Sequence, residues 1–261
     1  MIIDLTGKNA LIGGSSKGIG KAIAERLAAS GASVTLMARS EDLLKKIVAQ
    51  LDTSLGQKHQ YVVVDFSNYS LFAVQIEHFF KNNTIDILIN NTQGPAAGGA
   101  IEKSIDDYQT AFDLLFKCAV KTTSLALDHM RSQQWGRIVN IASISVREPL
   151  NYLALSNSLR AALVTWAKSL SMDIAADNIT INNTLTGYFD TERIAQLNAQ
   201  KAKKINVPIE KVRSAMEAQV PMQRIGRAEE YANLVCFLVS EQASYITGTN
   251  IPIDGGLLKS F

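Results

Sequence analysis

Three glycines carry the first piece of chemistry. Gly14, Gly18 and Gly20 stand in the spacing G-x-x-x-G-x-G within the stretch LIGGSSKGIG at 11–20. An apolar run precedes this stretch and a helix-period run follows it, so it reads as a strand-to-helix turn. A turn that tight asks for glycine. A diphosphate could then approach the main chain closely, and the helix N-terminus would offer it free N–H groups and a positive dipole end. A glycine-rich loop that binds nothing is the plainer alternative. In the first turn of an alternating chain, the spacing points to a nucleotide.

A second piece lies at the end of the next apolar run, at Ala38, Arg39 and Ser40. In dinucleotide folds an acid at this place holds the ribose 2′-OH, whereas an arginine accommodates a 2′-phosphate. Here the place holds Arg39, with no acid before Glu41, and Lys17 in the glycine turn is a second cation able to reach the same phosphate. Solvated surface cations are the alternative. Two cations at one place favour NADP(H), with NAD(H) as the lesser option.

These residues need a frame, and the apolar patterning supplies one. Strand-like runs fall at 8–12, 33–38, 61–64, 86–90, 137–141, 179–183 and 251–253. Helix-period runs lie between them at 21–30, 41–51, 71–82, 105–133, 156–176, 191–216 and 229–239. Strands alternating with helices imply a parallel sheet covered on both faces. No linker, charge block or repeat interrupts the order, so 1–261 is read as one domain.

Composition excludes several function classes. Lysine plus arginine number 26 against 24 acids, a net charge of +2. That balance gives no electrostatic footprint for nucleic acid or an anionic membrane. No apolar run approaches a membrane span, and the opening MIIDLTGKNALIG lacks the pattern of a signal peptide. A cytoplasmic protein is the expectation. Cys118 and Cys236 sit in helix-like stretches and read as buried thiols, and no Cys/His cluster suggests a metal. His59, His78 and His129 are expected at the surface.

With these residues in place, the chain resembles the short-chain dehydrogenase/reductases over nearly its full length. Gly14, Gly18 and Gly20 match the family's cofactor turn, and Asp65 matches the acid that contacts adenine. Asn90-Asn91-Thr92 resembles the family's Asn-Asn-Ala, and Asn140 and Ser143 match its fifth strand and catalytic serine. Gly187 and Thr191 resemble its Pro-Gly-x-x-x-Thr segment, with Thr186 where proline is usual. Arg224-Ile225-Gly226, Thr247-Gly248 and Asp254-Gly255-Gly256 match signatures near the C-terminus.

The resemblance implies a Rossmann fold, a doubly wound α/β sheet of about seven strands. It implies a cofactor set of Gly14, Ser16, Lys17, Gly18, Ile19 and Gly20 in the turn. Arg39, Asp65, Phe66, Asn91, Arg160, Gly187 and Thr191 complete that set. The implied activity is hydride transfer between NADP(H) and a small carbonyl or alcohol, in the manner of a 3-oxoacyl reductase. The segment 188–220 falls where the family places its substrate lid, although a plain surface helix pair would show the same pattern. A homo-oligomer, tetramer or dimer, is also implied, joined through the long helices near 105–133 and 156–176.

The family's catalytic set is Asn, Ser, Tyr and Lys, and this chain departs from it. Ungapped matching through SNSLRAALVTWAKSL puts Ser156 at the tyrosine and Arg160 at the lysine. Leu115 takes the place of the relay asparagine, so only Ser143 remains. A phenol has a reference pKa of about 10, which neighbouring positive charge can lower. An aliphatic alcohol is a far weaker acid, so Ser156 can donate a hydrogen bond but cannot copy tyrosine. Arg160 keeps a charge and a fork of donors without titrating. Losing a positioned general acid costs roughly 10²–10⁴ in rate.

Two readings follow. One is an oxidoreductase with altered proton delivery. Ser143, Ser156 and Arg160 form its catalytic set together with Tyr152, which would lie one helical turn before Ser156 if the helix starts early enough. Ser145, Tyr188 or a group of the substrate are the other options. The second reading is a cofactor-binding protein without redox catalysis, acting as a partner subunit or sensor.

Overall fold

The structure is a computed structural model and describes residues 2–260. Seven strands form its centre: β1 (Asn9–Gly13), β2 (Ser33–Ala38), β3 (Gln60–Val63), β4 (Ile87–Asn90), β5 (Gly136–Ile141), β6 (Ile179–Thr186) and β7 (Asn250–Ile253). All pair in parallel, in the order β3-β2-β1-β4-β5-β6-β7. The helices are α1 (Gly18–Ala28), α2 (Glu41–Val48), α3 (Tyr69–Phe80), α4 (Ile105–Phe112), α5 (Cys118–Ser132), α6 (Ala154–Ile174), α7 (Glu192–Ile205), α8 (Ile209–Glu217) and α9 (Ala228–Leu238). This is the doubly wound single domain that the alternation implied.

Strand side chains alternate between two cores, as a two-residue period dictates. Ala10, Ile12, Ile87, Ile89 and Val139 join α1, α2 and α9 on one face. Leu11, Leu88 and Ile138 join α3, α5 and α6 on the other. With both faces covered, the strands read as continuous apolar runs.

A polar ladder crosses this apolar sheet, at the C-terminal ends of β4 and β5, within β6 and at the start of β7. Asn90 donates to Asn140 at 2.9 Å, Asn140 to Asn183 at 2.9 Å, and Asn183 to Asn250 at 2.8 Å. These four asparagines are register partners across β4, β5, β6 and β7. Amides joined head to tail, with those of Asn90, Asn140 and Asn183 buried, penalise any slip of register, because a slip leaves them unpaired. The strand ends that carry the cleft are thereby held in place.

The structure corrects several sequence expectations. The run 105–133 is not one continuous helix. A π-helical segment, Asp113–Lys117, separates α4 from α5 and places Leu115 on the buried side. Nor is 191–216 continuous: α7 ends at Asn206, whose φ of +54° is left-handed, and Pro208 caps α8. Asparagine tolerates that conformation and proline restarts a helix, so the break has a local cause. Two of the three histidines are half-buried fasteners. His129 lies 3.1 Å from Asp86, whose other carboxylate oxygen accepts from the Asn9 N–H. His59 accepts from the Val34 N–H and donates to the Asp52 carbonyl. Only His78 is exposed.

Candidate active site

The strand order reverses between β1 and β4, and a cleft opens there at the strands' C-terminal ends. Its floor begins with the glycine turn. Gly14 and Gly18 adopt φ of +55° and +54°, a region other residues enter only with strain. A Cβ on Gly20 would strike the Gly14 carbonyl, so α1 can pack this tightly on the turn only as glycine. Ser15 is fully buried and fastens the turn sideways, its Oγ accepting from the Met37 N–H at 2.9 Å. Asn91 fastens the other side by donating to the Gly13 carbonyl at 3.0 Å. No side chain caps the N-terminus of α1. Its free N–H groups and dipole therefore face the cleft, as an anion site requires.

Gly14, Ser16, Lys17, Gly18, Ile19 and Gly20 all line this cleft, as do Arg39, Phe66, Asn91, Gly187 and Thr191. Asp65 does not. Its Oδ1 accepts from both the N–H and the hydroxyl of Ser67, at 2.9 and 2.6 Å. Those bonds hold its carboxyl below the usual range, with a smaller contribution from Arg39. Arg39 lines the cleft beside Ser40 with no ion pair among the described residues. Lys17 lines it too, but it is engaged: its Nζ lies 2.7 Å from Glu192 at the start of α7.

Ser143, Ser156 and Arg160 line the same cleft. Ser143 follows β5, and its hydroxyl accepts from the Ser145 N–H at 3.1 Å, which orients it. Ser156 lies in the first turn of α6 and is 8% exposed. Arg160 follows one turn later and donates from Nη1 to the Ile141 carbonyl at the end of β5. Burial draws Arg160 below the usual guanidinium value, Tyr231 opposes this, and the charge of Arg193 adds to it. It stays a cation at any ordinary pH. On the other side of Arg160, Leu115 is 3% exposed in an inner wall that it shares with Cys118 and Thr122.

Tyr152 departs from the expected geometry. Helix α6 begins at Ala154, so Tyr152 precedes it in a turn instead of standing one helical turn before Ser156. The preceding Pro149 and the main-chain bonds explain this. The Tyr152 carbonyl accepts from the Gly98 N–H at 2.7 Å, and Ala154 donates back to Gly98 at 3.1 Å. The ring is 48% exposed and does not line the cleft. Burial raises its phenol above the ordinary value, while the neighbouring Tyr188 hydroxyl opposes that rise. Burial pushes Tyr188 up to about 12, so neither phenol is tuned toward neutrality.

Sequence reasoning missed Arg193. It follows Thr191 and Glu192 in the first turn of α7, lines the cleft, and donates to the Pro95 carbonyl at 3.0 Å. Only the fold brings these residues together, 98 positions apart. Gln93, Gly94, Pro95 and Leu153 complete that end of the cleft. No group of three or more metal-ligating side chains occurs among the described residues. No helix is long and apolar enough to cross a membrane.

The chain and its architecture have known relatives. A family model described as enoyl-(acyl carrier protein) reductase matches residues 14–258. The chain is 32% identical to the 3-oxoacyl-[acyl-carrier-protein] reductase FabG of Aquifex aeolicus, covering 98% of this chain and all of that protein. It is 31% identical to the NADPH-dependent reductase BacG of Bacillus subtilis, covering 97% and 98% of the two chains. Among solved structures, L-sorbose reductase from Gluconobacter frateurii complexed with NADPH and L-sorbose superimposes with a TM-score of 0.92. It is 31% identical, with both chains fully covered.

Proposed function

The chain belongs to the short-chain dehydrogenase/reductase family, and from that premise we propose that it is an NADPH-dependent reductase of a small carbonyl compound, similar to the 3-oxoacyl reductases, with altered proton delivery. One observation carries this reading. A single cleft joins an uncapped helix N-terminus and an unpaired Arg39 to the Ser143, Ser156 and Arg160 cluster. NADPH fits the donors present. The first turn of α1 suits its diphosphate, Arg39 with Lys17 suits a 2′-phosphate, and Arg160 suits the ribose beside nicotinamide. Bound there, it would supply the hydride.

The chain's own residues supply the remaining steps. Ser143, oriented by the Ser145 N–H, donates to the carbonyl oxygen, and Ser156 offers a second hydroxyl from α6. Arg160, pinned to the Ile141 carbonyl, sets a fixed positive charge beside the oxygen that becomes an alkoxide. Fixed charge in a site of low dielectric stabilises that oxygen without reorganisation. Because neither serine is an acid near neutral pH, the proton comes from water through the Ser143 hydroxyl. Orientation of the carbonyl against the hydride donor does most of the catalysis.

The absence of the family's tyrosine, lysine and asparagine belongs to this proposal. It rests on Ser156, Arg160 and Leu115 standing at those positions. The same substitutions, and the buried Leu115 above all, favour the second reading, a cofactor-binding partner subunit or sensor. We also propose that α7 and α8 act as a substrate lid and that the protein is a homo-oligomer of dimer or tetramer size, which light scattering would test by mass. Titration with NADPH, followed by NADPH consumption against a carbonyl panel, separates the two functional readings. Binding with turnover supports the reductase, and binding without turnover supports the sensor.

A further inference from the structure

The charges lining the cleft do not balance. Among the described residues its cations are Lys17, Arg39, Arg160 and Arg193, and its single carboxylate, Glu192, is paired with Lys17. The proposed cofactor accounts for three of the four. Arg39 and Lys17 face a 2′-phosphate, and Arg160 faces the ribose. Arg193 is left over.

Its placement is specific. Arg39 follows β2 and Pro95 follows β4, and these two strands flank β1 on opposite sides. Arg193, anchored to Pro95, therefore sits on the β4 side of β1, the side on which β5 leads into Ser143. Arg160 lines the same cleft, and the charge of Arg193 acts against its own. The bond from Nη2 to Pro95 ties α7 to the loop after β4 across the cleft. The guanidinium lies directly against Gly94 in that loop: a Cβ there would stand in ordinary van der Waals contact with Nη2 and Nε, at 3.6 and 3.7 Å. One bond to a neutral carbonyl orients the fork and leaves its charge uncompensated. A guanidinium held this way matches a carboxylate through two parallel N–H donors.

We propose that Arg193 is a specificity residue that holds a carboxylate carried by the substrate. The preferred substrates are then oxo acids. This inference rests on the reductase reading for the location of the reacting carbonyl. The alternative source of oxyanion is the cofactor's own diphosphate, and the experiment separates the two.

The probes are pyruvate, acetoacetate and levulinate, each beside its methyl ester, titrated calorimetrically into the free and the NADP⁺-loaded protein. These complexes need no turnover. At least one acid is expected to bind tenfold more tightly than its ester. Arg193→Gln should erase that preference, and Arg193→Lys should restore part of it, with NADPH affinity changed less than twofold. Unchanged thermal unfolding of both variants excludes a folding defect. Equal binding of acids and esters overturns the inference, as does a preference that survives in Arg193→Gln. A tenfold loss of NADPH affinity in Arg193→Gln also overturns it and assigns the guanidinium to the diphosphate. An acid preference in a protein that never consumes NADPH would leave this inference standing and remove the reductase reading. Turnover without acid preference would do the reverse.

Discussion

Lys17 and Glu192 lie 175 positions apart in the chain, yet the lysine Nζ meets the glutamate Oε2 at 2.7 Å across the mouth of the cleft. The pair joins the glycine turn to the first residue of α7. It also sets the lysine's charge against a carboxylate in place of a phosphate.

This competition has a measurable consequence. Glu192→Gln frees Lys17 and should tighten NADPH binding, while Lys17→Gln should weaken it. The pair is exposed, and such pairs contribute about 0–1 kcal/mol, so each change should be at most about fivefold. Arg39 has no carboxylate partner and should matter more. Arg39→Asp is expected to weaken NADPH by at least tenfold and to leave NADH unchanged or tighter. Calorimetric titration of both cofactors against the three variants checks this.

Tyr152→Phe removes one hydroxyl from a ring that sits in a turn outside the cleft. Turnover should change less than twofold. A fall of tenfold or more, which corresponds to about 1.4 kcal/mol of transition-state stabilisation, would return the phenol to the site.

Ser156→Tyr combined with Arg160→Lys rebuilds the pair that the family uses. Ser156 lies in the first turn of α6 and Arg160 one turn later, so both new side chains start from the cleft wall. A gain of at least tenfold in ketone reduction is expected, toward the roughly 10²–10⁴ that a positioned acid provides. Steady-state kinetics on both single variants and the double shows whether the two changes act together. Because lysine assists the phenol, the single Ser156→Tyr should gain less than the pair.

Acid stability reports on the support beneath the cleft. Glu230 accepts two bonds from Arg224, at 2.8 and 2.7 Å, and one from the Arg227 N–H at 2.8 Å. Arg224 first, and the Arg227 N–H second, hold its carboxyl down to about 2. A depressed carboxylate stabilises the fold above its ordinary value and stops doing so as pH falls through its folded value. Glu230→Gln should therefore lower the Tm by roughly 2–4 °C at pH 7. The difference should shrink as pH falls from about 4.5 toward 2. Helix α9 carries Tyr231, whose hydroxyl bonds Thr184 and Thr186 at 2.6 and 2.7 Å, so the loss would be felt at the end of β6.

The sheet and the cofactor end of the cleft were legible because local chemistry encodes them. Gly14 and Gly18 need positive φ, and β1 reads as an apolar run because both its faces are covered. The substrate end was less legible. Arg193 meets Pro95 only after folding, and the start of α6 depends on main-chain bonds between Gly98 and Tyr152 that no periodicity records. The π-helical segment at Leu115 was hidden for a similar reason. Its residues, DLLFK, include no glycine or proline to mark the change of turn. Lys17 lines the cleft, but its partner, Glu192, comes from another element and was not legible from the glycine turn.

The central claim is that this cleft moves a hydride from NADPH to a carbonyl held by Ser143. The most direct measurement is NADPH consumption by the purified protein across a panel of oxo acids and neutral ketones, for the wild type and Ser143→Ala. Expected is carbonyl-dependent consumption by the wild type, lowered at least tenfold in Ser143→Ala with unchanged NADPH affinity. A wild type that binds NADPH and consumes none with any carbonyl would contradict it, as would a Ser143→Ala variant of undiminished turnover.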